Sequence, residues 1–107
     1  MLGNVPIAGA DEGFHPTNGD EIRTVLTDAR VNYLGKDQGV WQIFHADGRT
    51  FYAAGAGESW GTWFVQGDQY CSTWGASPLA SYYDMARNGD AVRFIGSRGD
   101  IYEGVVK

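Results

Sequence analysis

His45 and Asp47 are the pair in this chain best suited to acid–base chemistry. Two residues apart, they fall on one face of an extended strand, where a carboxylate can orient an imidazole acting as a general base. Tyr52 follows closely enough to assist. The Asp47-Gly48 dipeptide is equally what a tight hairpin selects, so the spacing has a structural explanation as complete as the catalytic one. Other reactive side chains lack a setting. No serine sits in a Gly-x-Ser-x-Gly elbow, and Gly55-x-Gly57 has no following helix to hold a phosphate. His15, His45 and Cys71 are the nitrogen and sulfur ligands on offer, at no finger-like or helical spacing, so neither a metal nor a cofactor is expected. Arg98-Gly99-Asp100 matches a tripeptide read by adhesion receptors, but Gly-Asp after Arg is also a hairpin turn. Asp11-Glu12 and Asp20-Glu21 read as solvated surface and helix-start charges, too few for a calcium loop.

The tryptophans and tyrosines are the larger resource. Trp41, Trp60, Trp63 and Trp74, with Tyr52, Tyr70, Tyr82 and Tyr83, carry polar handles on apolar rings. Such rings suit a cavity or an interface as well as a core. Tandem Tyr82-Tyr83 must put one ring on each face of a strand. Trp41, Trp60, Trp74 and Tyr83 are taken as candidate ligand-lining residues, with Arg49 or Arg93 orienting any anionic group.

Charge narrows the partners. The formal net charge is −5, and the eight basic residues are scattered rather than clustered, which disfavours nucleic acid and anionic membrane surfaces. No apolar run approaches the roughly 20 residues that span a bilayer, so no membrane insertion is expected. The single cysteine, Cys71, cannot form an intrachain disulfide; with no basic neighbour in sequence, it reads as a buried, inert thiol.

These side chains need a frame, and the periodicity supplies one. In 17–29, Ile22, Val25, Leu26 and Ala29 fall on one helical face. Thr17 or Asn18 can cap this helix, with Asp20 or Glu21 completing a capping box, and His15-Pro16 blocks its backward extension. From Arg30 the period becomes two. Strands are predicted at 31–35, 40–45, 50–54, 59–66, 69–74, 81–86, 91–96 and 101–106. Turn signals at Lys36-Asp37-Gln38-Gly39, Ala46-Asp47-Gly48-Arg49, Gly67-Asp68, Asn88-Gly89-Asp90 and Arg98-Gly99-Asp100 separate them. Short connections force antiparallel neighbours. The helix then packs on one sheet face or plugs one end of a barrel. Several strands carry aromatics on both faces, so either both faces are covered or one meets a ligand or a second subunit. Residues 1–16 are set aside as a flexible segment. Ala8-Gly9-Ala10 looks like the end of a signal peptide, although the basic start and a full apolar run are missing.

One longer pattern resembles a known family. Asp47-Gly48-Arg49, then Gly61-Thr62-Trp63-x-Val65-x-Gly67-Asp68-x-Tyr70-Cys71-x-x-Trp74, then Tyr82-Tyr83 and Gly89-Asp90-x-Val92, looks like a small proteobacterial family of mostly exported domains without an assigned activity. The resemblance spans about 18–104. It implies a short helix ahead of a β core and a periplasmic or secreted location. The family often carries a second cysteine before the tyrosine that follows the loop. Here that neighbourhood is Ala80-Ser81-Tyr82-Tyr83, so the bridge the family implies cannot form from Cys71.

The expected fold is a single domain over 17–107, mainly β with one N-terminal helix. It is a curved antiparallel meander of six to eight strands, forming a small or partly open barrel and lipocalin-like in broad outline. The expected role is that of a non-enzymatic accessory or binding domain. Its aromatic sheet face or barrel mouth would take a small apolar or aromatic ligand, a protein partner, or a second copy in a homodimer. The alternatives are a small-barrel enzyme with His45 as general base, assisted by Asp47 or Tyr52, and a structural oligomerisation module.

Overall fold

Short turns at Asp47-Gly48, Gly67-Asp68, Asn88-Gly89 and Arg98-Gly99 reverse the chain, and the reversals build one continuous sheet. The computed structural model describes residues 13–77 and 79–107. In chain order the elements are β1 (His15–Pro16), α1 (Gly19–Leu26), β2 (Ala29–Tyr33), a 3₁₀ turn (Gly35–Asp37), β3 (Trp41–Phe44), β4 (Arg49–Ala54), β5 (Gly57–Gln66), β6 (Gln69–Trp74), β7 (Ser81–Asn88), β8 (Ala91–Gly96) and β9 (Ile101–Val106). The sequence places every one of the eight longer strands. Its bounds match β6, β8 and β9 and miss the others by one to two residues.

Strands β2 to β9 pair antiparallel in sequence order, and β2 also pairs with β9. The sheet therefore closes into an eight-stranded up-and-down barrel, not the partly open form also considered above. Closure is what a meander with aromatic side chains on both faces requires, because it satisfies the edges and buries the inner face. Register fixes which side chains point inward. Gln42 lies opposite Tyr52, Tyr52 opposite Ser59, Tyr70 opposite Tyr83, and Phe94 opposite Tyr102. All of these line the interior. A ninth strand, β1, adds to β7 at Arg87 and Ala86, beyond the stretch that β6 covers. Residues 1–12, including Ala8-Gly9-Ala10 and most of the segment expected to be flexible, lie outside the described residues. His15 and Pro16, the last of that segment, are part of the sheet.

The helix is shorter than its pattern predicts. Asn18 is the cap, its side-chain oxygen accepting from the Glu21 N–H at 2.8 Å. Glu21 does not return the bond as a capping box would. Its carboxylate binds His15 Nε2 and Arg87 Nη1, each at 3.1 Å. The helix stops at Leu26 because Asp28 takes a left-handed backbone (φ 60) and donates its N–H to Phe44 O at 2.7 Å. Ala29 then starts β2. Ile22 and Leu26 are fully buried against Phe44, Val31, Met85 and Val92. Gly19 presses the helix start onto the β5–β6 turn: its N–H donates to Asp68 Oδ1 at 2.9 Å, and a Cβ there would collide with Gly67 O. The helix thus stoppers the barrel end formed by the β3–β4, β5–β6 and β7–β8 turns. The opposite end is ringed by the β2–β3, β4–β5, β6–β7 and β8–β9 connections.

Candidate functional site

A barrel of eight strands is just wide enough either to fill with side chains or to hold one small ligand. This one does both. Its helix end is packed solid around Phe44, which meets Trp63 and Tyr70 edge-on at 5.7 Å. Toward the other end the packing gives way to a cavity of about 350 Å³. Small inward residues leave the room. Ser59 and Ser72 stand where a larger side chain would fill the lumen, and Gly61 lets Trp74 lie flat across β5.

The walls are mostly phenols. Five of the six tyrosines, Tyr33, Tyr52, Tyr70, Tyr83 and Tyr102, line the cavity, while Tyr82 points outside. They lean on one another at ring separations of 5.9 Å for Tyr70–Tyr83, 6.1 Å for Tyr83–Tyr102 and 6.4 Å for Tyr33–Tyr52. Such tilted and edge-on contacts fix ring positions. Trp74 meets Tyr52 edge-on at 5.8 Å and donates Nε1–H to Ser72 Oγ at 3.1 Å.

Beneath the rings lies a buried polar network centred on Gln42, which is 3% exposed. Thr50 Oγ1 donates its proton to Ile43 O at 2.8 Å, so it must accept from the Gln42 amide nitrogen at 2.9 Å. That orients the amide. Its nitrogen also donates to the Tyr70 hydroxyl at 3.2 Å, and its oxygen accepts from the Tyr33 hydroxyl at 2.7 Å. Burial raises the Tyr33 phenol well above its ordinary value, pushes Tyr70 up to about 12, and raises Tyr52, Tyr83 and Tyr102 as well. The phenols are therefore neutral hydrogen-bonding groups at neutral pH. Asp37, at the end of the 3₁₀ turn, is the one described lining residue with a formal charge. Among the described residues, its Oδ2 is the buried side-chain oxygen or nitrogen without a hydrogen-bond partner.

The residues singled out in the sequence divide among three places. Trp74 and Tyr83 share the cavity. Trp41, Trp60 and Arg49 lie on the outer wall, in a ladder that runs across β3, β4 and β5. There Trp41 packs on Phe51 at 5.5 Å, and Phe51 on Trp60 at 4.8 Å. The Arg30 guanidinium caps Trp41 at 4.2 Å and that of Arg49 caps Trp60 at 5.2 Å. Arg93 lies elsewhere on the outer wall, donating to Glu103 at 2.8 Å with its guanidinium 3.9 Å from the Phe14 ring centroid. Neither arginine reaches the cavity.

His45 is not brought to Tyr52. It stacks on the outward Trp60 at 5.9 Å, while Tyr52 points into the lumen. Asp47 gives its carboxylate to the Arg49 backbone N–H at 3.0 Å and to Arg49 Nε at 2.9 Å, which holds it below the usual carboxylate range. The turn uses the dipeptide, with Gly48 at φ 94. Cys71 is buried and free on the outer side of β6, and burial raises its thiol. No three His, Cys, Asp or Glu side chains among the described residues are placed to hold a metal ion. No described helix is long and apolar enough to cross a membrane.

Tyr33, Asp37, Gln42, Tyr70, Phe94 and Tyr102 belong to the site without having been singled out as lining residues. The signal for most of them was available. Strand parity, counted outward from each hairpin, puts the five tyrosines on the same face. Asp37 carries no such signal, because it lies in a connection without alternation. The arrangement defines a class: a closed antiparallel barrel, stoppered by a helix at one end and cupped by tyrosines at the other. Among known proteins, no family model, curated protein or solved structure matches the chain.

Proposed function

We propose that this protein is a non-catalytic binding domain that takes one small, largely apolar or aromatic molecule into the open end of its barrel. The observation that supports this reading is the cavity itself. At about 350 Å³ it lies at the small end of the about 300–1,000 Å³ range of ligand sites, with aromatic walls and a few fixed polar groups. The Gln42 network holds its members before any ligand arrives, so little ordering remains to be done on binding. The same reading includes the kinship with exported domains that the Gly61–Trp74 pattern suggests, and with it a periplasmic or secreted location, which fractionation of the producing cells would check.

The test is to fill the cup. Ser59 lines the cavity on β5, close to the mouth. Ser59→Trp should reduce binding of naphthalene-sized aromatic probes at least tenfold by tryptophan-fluorescence titration, with the melting temperature nearly unchanged. Equal binding by the variant and the original protein would defeat the reading.

A second reading rests on a separate observation, the outer ladder, in which Trp60 is 52% exposed beside Phe51 and Trp41. Exposed aromatics capped by arginine suit a protein partner or a second copy. Light scattering of the original protein against Trp60→Ala separates a self-associating ridge from a solvated one. The enzyme reading has less support, because Asp47 is engaged by Arg49 and, among the described residues, no carboxylate bonds the His45 ring stacked on Trp60.

A further inference from the structure

We infer that the ligand of this cavity is a small protonated amine carrying an aromatic or compact apolar group, with its ammonium N–H directed at Asp37. The inference rests on the binding reading above and names its ligand class. A buried carboxylate oxygen without a partner is costly and rare, and Asp37 Oδ2 is such an oxygen, in a residue that lines the cavity. It can only accept. What it lacks is a donor, and an ammonium N–H supplies both the proton and the opposite charge.

The rest of the lining agrees. Among the described residues no lysine or arginine lines the cavity, so an anionic ligand would meet Asp37 inside it and find a cation only at the rim, where Lys36 sits over Tyr102. The tyrosine, tryptophan and phenylalanine rings present electron-rich faces that attract cations within about 6 Å. One rim ring already holds one: Lys36 Nζ lies 4.7 Å from the Tyr102 centroid without itself lining the cavity. The field of Asp37 also reaches inward. Burial first, and Asp37 next, raise Tyr52; for Tyr33 Asp37 comes after burial and the neighbouring tyrosines, and for Tyr102 after burial, Asp100 and Tyr83. The apolar part of the ligand would lie against Phe94 and Trp74, below the charged end.

Three probes of nearly one shape test this: 2-phenylethylamine, the neutral 2-phenylethanol and the anionic phenylacetate. Each is titrated calorimetrically into the full chain and into Asp37→Asn. The amine should bind at least tenfold more tightly than the alcohol, and phenylacetate more weakly than either. Asp37→Asn should bring the amine down to the level of the alcohol while leaving the alcohol's affinity within about twofold, which also shows that the variant's cavity is intact. Amine binding no tighter than alcohol binding, or an amine affinity untouched by Asp37→Asn, overturns the cation assignment while the binding reading stands. Silence from all three probes overturns both.

Discussion

Gln42 holds the floor of the cavity together, and its sequence neighbours gave no hint of it. An amide between Trp41 and Ile43 reads as a surface residue on a half-buried strand. It is buried here because three hydroxyls, those of Tyr33, Thr50 and Tyr70, arrive from other strands to satisfy it. Gln42→Leu would keep the volume and leave the buried Tyr33 hydroxyl without its acceptor, while Thr50 keeps its bond to Ile43 O. A buried group left unpaired costs about 1–3 kcal/mol, so the urea midpoint should fall correspondingly with little change in the slope. The phenols make a second expectation. Below the ordinary tyrosine value of 10 they are protonated in folded and unfolded chains alike, and their contribution is fully present. Above it the unfolded chain releases protons that the buried phenols retain, so stability is lost as pH rises from 10 through about 12, where Tyr70 titrates. Alkaline unfolding followed by circular dichroism should therefore coincide with the rise of the phenolate absorbance. In Tyr82→Phe, which removes the outward phenol, phenolate appearing well before unfolding would contradict the burial described here.

The helix shows how local pattern and tertiary demand diverge. Ile22, Val25 and Leu26 were readable as one helical face from their i, i+3, i+4 spacing, but Ala29, counted with them, begins β2. The end of the helix was not readable. Asp28 leaves the helix to bond Phe44 and Ala46, contacts that exist only once β3 is in place. The bounds of β6, β8 and β9 were readable for the opposite reason: tight turns such as Gly67-Asp68 and Asn88-Gly89, whose chemistry is local, flank them. Parity told which rings share a face, and closure told which face is inside. The second of these is a long-range fact, and for that reason Trp41 and Trp60 stood beside Trp74 as equals in the sequence. The stopper role of α1 gives a third expectation. Leu26 is fully buried under the barrel floor, and Leu26→Ala should cost about 2–5 kcal/mol. Ligand affinity at the other end should change far less, because Phe44 and its neighbours lie between. A loss of binding as large as the loss of stability would mean that the two ends are coupled.

The completed ring of strands makes the two ends of the molecule inequivalent. Near the helix end, Val106 donates its N–H to Asp90 O at 2.8 Å, and Gly13 packs beside Asn88 on the far side of the same hairpin. Gly13 and Val106, near the two limits of the described residues, thus gather around one turn, roughly a barrel's length from the tyrosine cup. Anything attached at Lys107, such as a reporter protein, an affinity handle or a surface anchor, hangs from the base and leaves the opening facing away. Immobilised that way, the molecule stands with its rim toward the solution and every copy presents the same side.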